Sequence, residues 1–389
     1  MIAYNKTWLA NRRLQDELKK DLEHGRITKA EFDSITEKYP VGFYSPNLLV
    51  RVGLFILTCV IILFADGLLS LMASGSGIIE SFGWLIFLGL LSYLALELMV
   101  NNKFHYRSGV DDALLFISLC LLVGGFAIMV SDINIGVNYL PLSLVVLLLT
   151  LFLSLRFADM LTAAVCCISF FAFIFYGCEK IGAVGLTVVP FIMMLASAGM
   201  YWLSNTNSSR PKFINYENCL IIVQIVCLLT LYAAGNYYIV QTLSDELNGQ
   251  HKPIAFSAFF WVWTIFLPFV YIWFGLKKKD VILLRTGLVL TAAAVATFRT
   301  YYHVLPTDVM LTLAGALLLG TAYTVMKYLK TPKHGITYAD PDEANLMDNL
   351  KIESFIVAET FSHTPTPPAA EGVKFGGGDF GGGGSSGGF

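Results

Sequence analysis

LLVRVGLFILTCVIILFADGLLSLM, residues 48–72, is the stretch whose reading decides the fold of this chain. Its only charges are Arg51 and Asp66. The run is long enough to cross a bilayer core ~30 Å thick, which takes about 20 residues as an α-helix. Within lipid a helix satisfies its own backbone N–H and C=O groups, which an isolated extended strand cannot do. Nine further runs of this kind follow, at 81–100, 112–131, 138–156, 158–178, 181–203, 217–243, 254–276, 281–303 and 308–329. The expectation is an all-α polytopic transmembrane bundle of about ten spans over 48–329, with a small helical hairpin over 1–47 and a tail over 330–389.

Composition agrees with that reading. Of 389 residues 56% are hydrophobic and 14% charged, and the mean hydropathy is +0.66, outside the range of soluble domains. A net charge of −2 leaves no basic field that would recruit nucleic acid, so the bilayer is the first expected partner. The seven cysteines lie in or at the ends of apolar runs without C-x-x-C spacing. They read as packing residues, and neither a disulfide framework nor a metal or cofactor site is expected. The polar residues ahead of position 48 do not fit a secretory signal peptide, so the first run reads as a retained helix.

Orientation follows from Lys and Arg in the short loops, which stay on the cytoplasmic side. Loops after even-numbered spans carry Lys103, Arg107, Arg156, Arg210, Lys212 and Lys277 to Lys279; the others carry Lys180 and Lys252. Both termini are therefore expected in the cytoplasm, with the protein in a bacterial inner membrane. Tyr237, Tyr238, Tyr301 and Tyr302 on one side, and Tyr201, Trp202, Trp273 and Tyr328 on the other, fit interfacial aromatic belts.

Ahead of the spans, Leu14, Leu18 and Leu22 repeat every four residues, Gly25 stands where a helix stops, and Thr28 with Glu31 forms a capping box. Ile27, Phe32, Ile35 and Tyr39 give the second helix an apolar face that Pro40 ends. The hairpin is expected to pack on the cytoplasmic mouth or to dock a protein partner. At the other end the tail holds a weakly amphipathic stretch near 346–357 and, from Phe375, nine glycines in fifteen residues punctuated by Phe380 and Phe389. That composition cannot offset its ordering entropy and reads as disordered, with the aromatics as possible contact points.

Ionisable groups inside spans are costly, and each is a candidate site with a partner to be named. Asp66 and Arg299 each lie 18 residues into their spans, about 27 Å along the axis, and are expected to pair near the outer surface. Glu97 lies at the depth of Arg51 and Arg285, a second expected pairing. Snorkelling to headgroups or structural pairing is one reading of these residues, and a polar cavity or ion path through helices one, two and nine is the other. Pro190 and Pro268 read as kinks. A match at a constant offset of 129, between Leu155-Arg156 with Met160–Ala164 and Leu284-Arg285 with Val289–Ala293, raises a four-helix parallel repeat. No H-E-x-x-H occurs, the six histidines fall in loops, tails or a helix end, and no enzyme is expected.

The leading arrangement of Leu14, Leu18, Leu22, Glu23, His24, Gly25, Arg26, Ile27, Thr28 and Glu31 before a many-helix body resembles a family of predicted bacterial membrane proteins known as a domain of unknown function. The similarity covers mainly residues 8–60 and brings no catalytic residues. The Gly/Phe/Ser tail is similar to the ends of some bacterial membrane-attached proteins, whose extracytoplasmic domain has no counterpart here. Two functions remain expected: a small-solute or ion transporter, on the spans, charges and prolines; or a membrane scaffold, sensor or assembly factor, on the hairpin and tail.

Overall fold

The computed structural model describes residues 2–302, apart from 76, 134–138, 209 and 249–253, with scattered helical positions between 312 and 327. These residues fall in one compact unit, Met1–Pro341. The tenth expected span, 308–329, is described only at those scattered positions, and the tail lies outside the described residues. Among the described residues there is no strand, and nine helices are long and apolar enough to cross a membrane. The chain is a multi-pass helical membrane protein.

The hairpin consists of α1, Lys6–Glu23, and α2, Lys29–Lys38. Asn5 caps α1 by accepting from Thr7 N and Trp8 N. Thr28 and Glu31 close the expected capping box, with Glu31 Oε2 accepting from Thr28 N at 2.8 Å. Gly25 takes the left-handed conformation, φ 69°, that ends α1.

The spans are α3 (Leu48–Ala73), α4 (Phe82–Lys103), α5 (Val110–Ile133), α6 (Tyr139–Phe157), α7 (Met160–Glu179), α8 (Ala183–Ser208), α9 (Glu217–Gly235), α11 (Ser257–Lys278) and α12 (Val281–Tyr301), with the short α10 (Tyr237–Asn248) between α9 and α11. Consecutive spans, leaving out the short α10, alternate in direction. The starts of α3, α5, α7, α9 and α12 therefore share one end of the bundle, the hairpin end. Acidic or amide side chains stand at these starts. Asn47, Asp159 and Asp280 accept N-cap bonds for α3, α7 and α12. Lys103, Arg156, Lys277 and Lys278 lie in the last turns of the returning helices. Each sign thus meets the helix end it stabilises.

Close packing within two helical hairpins rests on glycine. Gly89 faces Leu122 and Gly125 faces Ile86 between α4 and α5; a Cβ at Gly125 would lie 2.7 Å from Ile86. Gly275 faces Leu284 and Gly287 faces Ile272 between α11 and α12, with 2.8 Å at Gly287. Small-against-large contacts let the backbones approach where lipid offers no hydrophobic drive for association. In contrast, α3 buries no residue and packs chiefly on α5.

Three expectations change. The run 217–243 is not one helix: α9 ends at Gly235, and Asn236, in an extended conformation, separates it from α10. The buried Asn236 side chain donates to Tyr232 Oη and Thr297 Oγ1, both at 3.0 Å, and accepts from Ile239 N, so the break is capped from within. The run 181–203 continues to Ser208, where polar residues keep their helical bonds beyond the apolar stretch. The offset-129 match joins unlike positions, because Arg156 lies in the last turn of α6 and Arg285 near the start of α12. Helices α8 and α11 run through Pro190 and Pro268. Tyr237, Trp261, Phe298, Tyr301 and Tyr302 gather at the far end, with Tyr237 stacked on Trp261 at 4.7 Å.

Candidate functional site

Charged side chains converge at the hairpin end. Glu97, on the last turns of α4, is held by a two-bond fork from Arg156 at the end of α6: Nε to Oε1 at 2.8 Å and Nη2 to Oε2 at 2.9 Å. Tyr93 Oη donates to Oε1 at 2.6 Å and Asn101 Nδ2 to Oε2 at 2.9 Å. Four donors on one half-buried carboxylate make a rigid group, because the planar guanidinium matches the carboxylate geometry. Arg51, at the start of α3, donates to Asp112 Oδ2 through Nε at 2.8 Å and stands 2.7 Å from it through Nη2.

The loop 104–109 between α4 and α5 folds around Asp111. Its Oδ1 accepts from Ser108 N at 2.8 Å and Ser108 Oγ at 2.9 Å, and its Oδ2 from Arg107 N at 2.8 Å. The one hydroxyl proton of Ser108 goes to Asp111, so the 2.7 Å contact from His105 Nδ1 to Ser108 Oγ requires the proton on Nδ1. Burial pushes the His105 pKa down from 6.5, against an opposing pull from Asp111. Gly109, at φ 92°, lets the loop touch α3: a Cβ there would lie 2.1 Å from the Arg51 carbonyl oxygen. Arg107 and Ala158 are left-handed without being glycine, at φ 49° and 48°.

The N-terminal arm and hairpin fasten onto this end. Ala3 N donates to the Arg156 carbonyl at 2.8 Å. Tyr4 is buried, with its ring edge-on to Phe43, Tyr106 and Phe157. Tyr106 stacks on Phe43 at 4.9 Å and carries the guanidinium groups of Arg12 and Arg107 over its ring at 5.5 and 5.6 Å. Residues 41–46 run beside the α4–α5 loop, with Tyr44 N donating to Phe104 O and Tyr106 N to Tyr44 O. Arg12 donates to Ser45 Oγ and Arg13 to Ile214 O, which ties α1 to the turn before α9. Gly42 leaves room for Trp8, which a Cβ would meet at 2.6 Å.

Beneath Tyr4 lies a cavity of about 20 Å³, room for about one water molecule. Its walls include Tyr4, Arg107, Asp111, Asp112, Ala158 and Asp159. Burial, then Asp111, raises the Tyr4 hydroxyl well above its usual pKa. Among the described residues no three His, Cys, Asp or Glu side chains converge closely enough to hold a metal ion by themselves.

The five residues singled out from sequence are not brought together as expected. Glu97 pairs with Arg156, and Arg51 with Asp112; neither reaches the expected partner. Depth along the axis cannot say which helices are neighbours. Arg285, near the start of α12, is half-buried and makes no bond to Glu97. Asp66 is half-buried on α3, which packs on α5, whereas Arg299 belongs to α12, which packs on α9 and α11; no ion pair joins them. Arg156, Asp111, Asp112, Asp159 and Tyr4 were missed. Arg156 was readable by the same depth argument, since it lies at the hairpin-end terminus of its span. Tyr4 lies in the short apolar start Met1-Ile2-Ala3-Tyr4, which signals burial only weakly because four residues show no periodicity.

Comparison with known protein families, curated proteins and solved structures finds no match for this chain.

Proposed function

We propose that this protein is a membrane scaffold or sensor that acts through its hairpin end. We place that end on the cytoplasmic side of a bacterial inner membrane, in line with the loop charges. The supporting observation is the fastening of the hairpin. Arg12, Arg13, Ala3 and Tyr4 tie it to the ends of α6, to the α4–α5 loop and to the turn before α9. A change in helix packing at that end therefore moves the hairpin, and a partner on the hairpin acts back on the helices.

The membrane interior of the described helices favours it too. Buried polar residues such as Ser118, Thr150, Ser197 and Thr264 bond back to carbonyls of their own helices, as packing residues do.

Transport of a small solute or ion is the second reading, and the break at Asn236 favours it. Transporters place interrupted helices at substrate sites. However, α9 has 19 residues, about 28 Å, so the break falls near the far interface rather than at mid-depth.

The test uses the full chain. In cells, a photo-crosslinking residue at exposed Glu17 or Asp33 is expected to capture one defined protein, with Arg12→Ala changing the yield. Reconstituted vesicles are expected to pass no solute or ion above empty ones. Selective flux that Glu97→Gln abolishes, with no hairpin adduct, would sink the scaffold reading in favour of transport.

A further inference from the structure

The basic side chains at the hairpin end are of two kinds. Those beside the hairpin have protein partners: Arg51 pairs with Asp112, Arg156 with Glu97 and Arg13 with Glu217, while Arg12 and Arg107 lie over the Tyr106 ring. Arg210 and Lys212, between α8 and α9, and Lys277, Lys278 and Lys279, where α11 turns into α12, are instead all exposed. None of these five has an acidic partner among the described residues. Asp280 is the one acid in the two turns, and its Oδ1 is engaged in capping α12, accepting from Ile282 N and Leu283 N. Below the turns one apolar cluster, built on Tyr271 and Leu283 with Tyr201 packed against it, joins α8, α11 and α12.

The depth of these charges says what meets them. Trp273, 65% exposed, lies five residues before Lys278, about 7.5 Å along the helix. Trp202, 66% exposed, lies six residues before the end of α8 at Ser208. Exposed tryptophans near the ends of spans sit at the bilayer interface. Lys278 Nζ is 5.9 Å from the ring of Phe274, which is itself exposed, and Lys212 Nζ is 6.0 Å from the ring of Phe213. Ammonium groups this close to interfacial rings stand in the headgroup layer, where the available anions are lipid phosphodiesters. A soluble polyanion would have to enter that layer to reach the same atoms. Each Lys or Arg at the surface strengthens attraction to an anionic leaflet about five-fold, whereas a zwitterionic headgroup offers no net charge.

We propose that the α8–α9 and α11–α12 turns form a basic band that binds the headgroup of an anionic phospholipid, with Lys277, Lys278 and Lys279 as its main contacts and Arg210 and Lys212 beside them. Lipid binding here is independent of the scaffold reading, since none of the five residues is among those that tie the hairpin to the bundle. The hairpin end then has two parts: one closed by its own ion pairs, and one whose charges are completed by the membrane.

The full-length protein in neutral detergent micelles is titrated with short-chain phosphatidylglycerol, with phosphatidylcholine of the same chains, and with sodium phosphate at matched ionic strength, and thermal unfolding is followed. Phosphatidylglycerol is expected to raise Tm saturably, and less so at high NaCl, while the other two do not. Lys278→Gln should weaken the apparent affinity about five-fold. Replacing Lys277, Lys278 and Lys279 together by Gln should remove the response, and replacing all three by Arg should keep it. Lys103→Gln, at an exposed lysine ending α4, should leave it unchanged. Equal responses to the two lipids, a triple glutamine variant that superposes on the wild type, or a Lys103→Gln effect as large as that of Lys278→Gln overturns the band. Phosphate that matches phosphatidylglycerol overturns the lipid and leaves a free-phosphate site. Should the triple glutamine variant not fold, Lys278→Gln and the arginine variant decide. None of these outcomes touches the crosslinking test of the scaffold reading.

Discussion

Glu97 illustrates what one carboxylate does at the edge of a membrane. Its oxygens take four bonds from three residues, and its partner Arg156 also offers its carbonyl to the arm through Ala3 N. Glu97→Gln removes the charge from this fork and should lower stability by about 2 kcal/mol, read as Tm in micelles. The exchanged pair Glu97→Arg with Arg156→Glu should recover part of that loss; no recovery would mean that Tyr93 and Asn101 hold the site instead. Gly109→Ala places a methyl group against the Arg51 carbonyl at a positive φ, and about 3 kcal/mol or more should be lost. His105 gives the loop a pH response. Its folded pKa lies below 6.5, so its contribution is full above 6.5 and is lost as pH falls through the lower folded value. Hydrogen exchange of residues 104–109 should therefore quicken under mild acid, and His105→Gln should flatten that response.

At the scale of elements, two helix boundaries have distinct origins. The start of α2 is local: Thr28 and Glu31 satisfy each other's backbone, and this bonding holds the Glu31 carboxyl below its usual 4.5. The cap is at full strength above 4.5 and fails as pH falls through the depressed value, so α2 should fray in acid and Glu31→Gln should remove most of the change. The end of α9 is tertiary: Asn236 breaks the helix with groups from α9, α10 and α12, while Tyr237 N bonds Thr264 of α11. Asn236→Ala leaves Tyr232, Thr297 and Ile239 N without that partner, and a loss of about 2 kcal/mol in thermal unfolding is expected. The capping box could be read in the sequence because it spans four residues. The break could not, because an asparagine inside an apolar run is equally compatible with an unbroken helix.

For the whole molecule, the sequence by itself determined that the chain spans a membrane many times and where most spans lie. A bilayer imposes one length and one hydrogen-bonding solution on every span, so hydropathy suffices. It also determined the hairpin, whose cap and stop are local. The expected sidedness rests on loop charge alone, and thiol labelling of single cysteines placed at 20 and 280 should find both on the cytoplasmic side. Only the tertiary structure decided which charges meet. Equal depth put Glu97 beside Arg51 or Arg285 on paper, but lateral neighbours are set by close packing, such as Gly89 against Leu122 and Gly275 against Leu284. That packing gives Glu97 to Arg156 and Arg51 to Asp112, and it buries Tyr4 above three carboxylates. Depth is a property of one helix and its sequence, whereas adjacency belongs to pairs of helices and appears only when they pack.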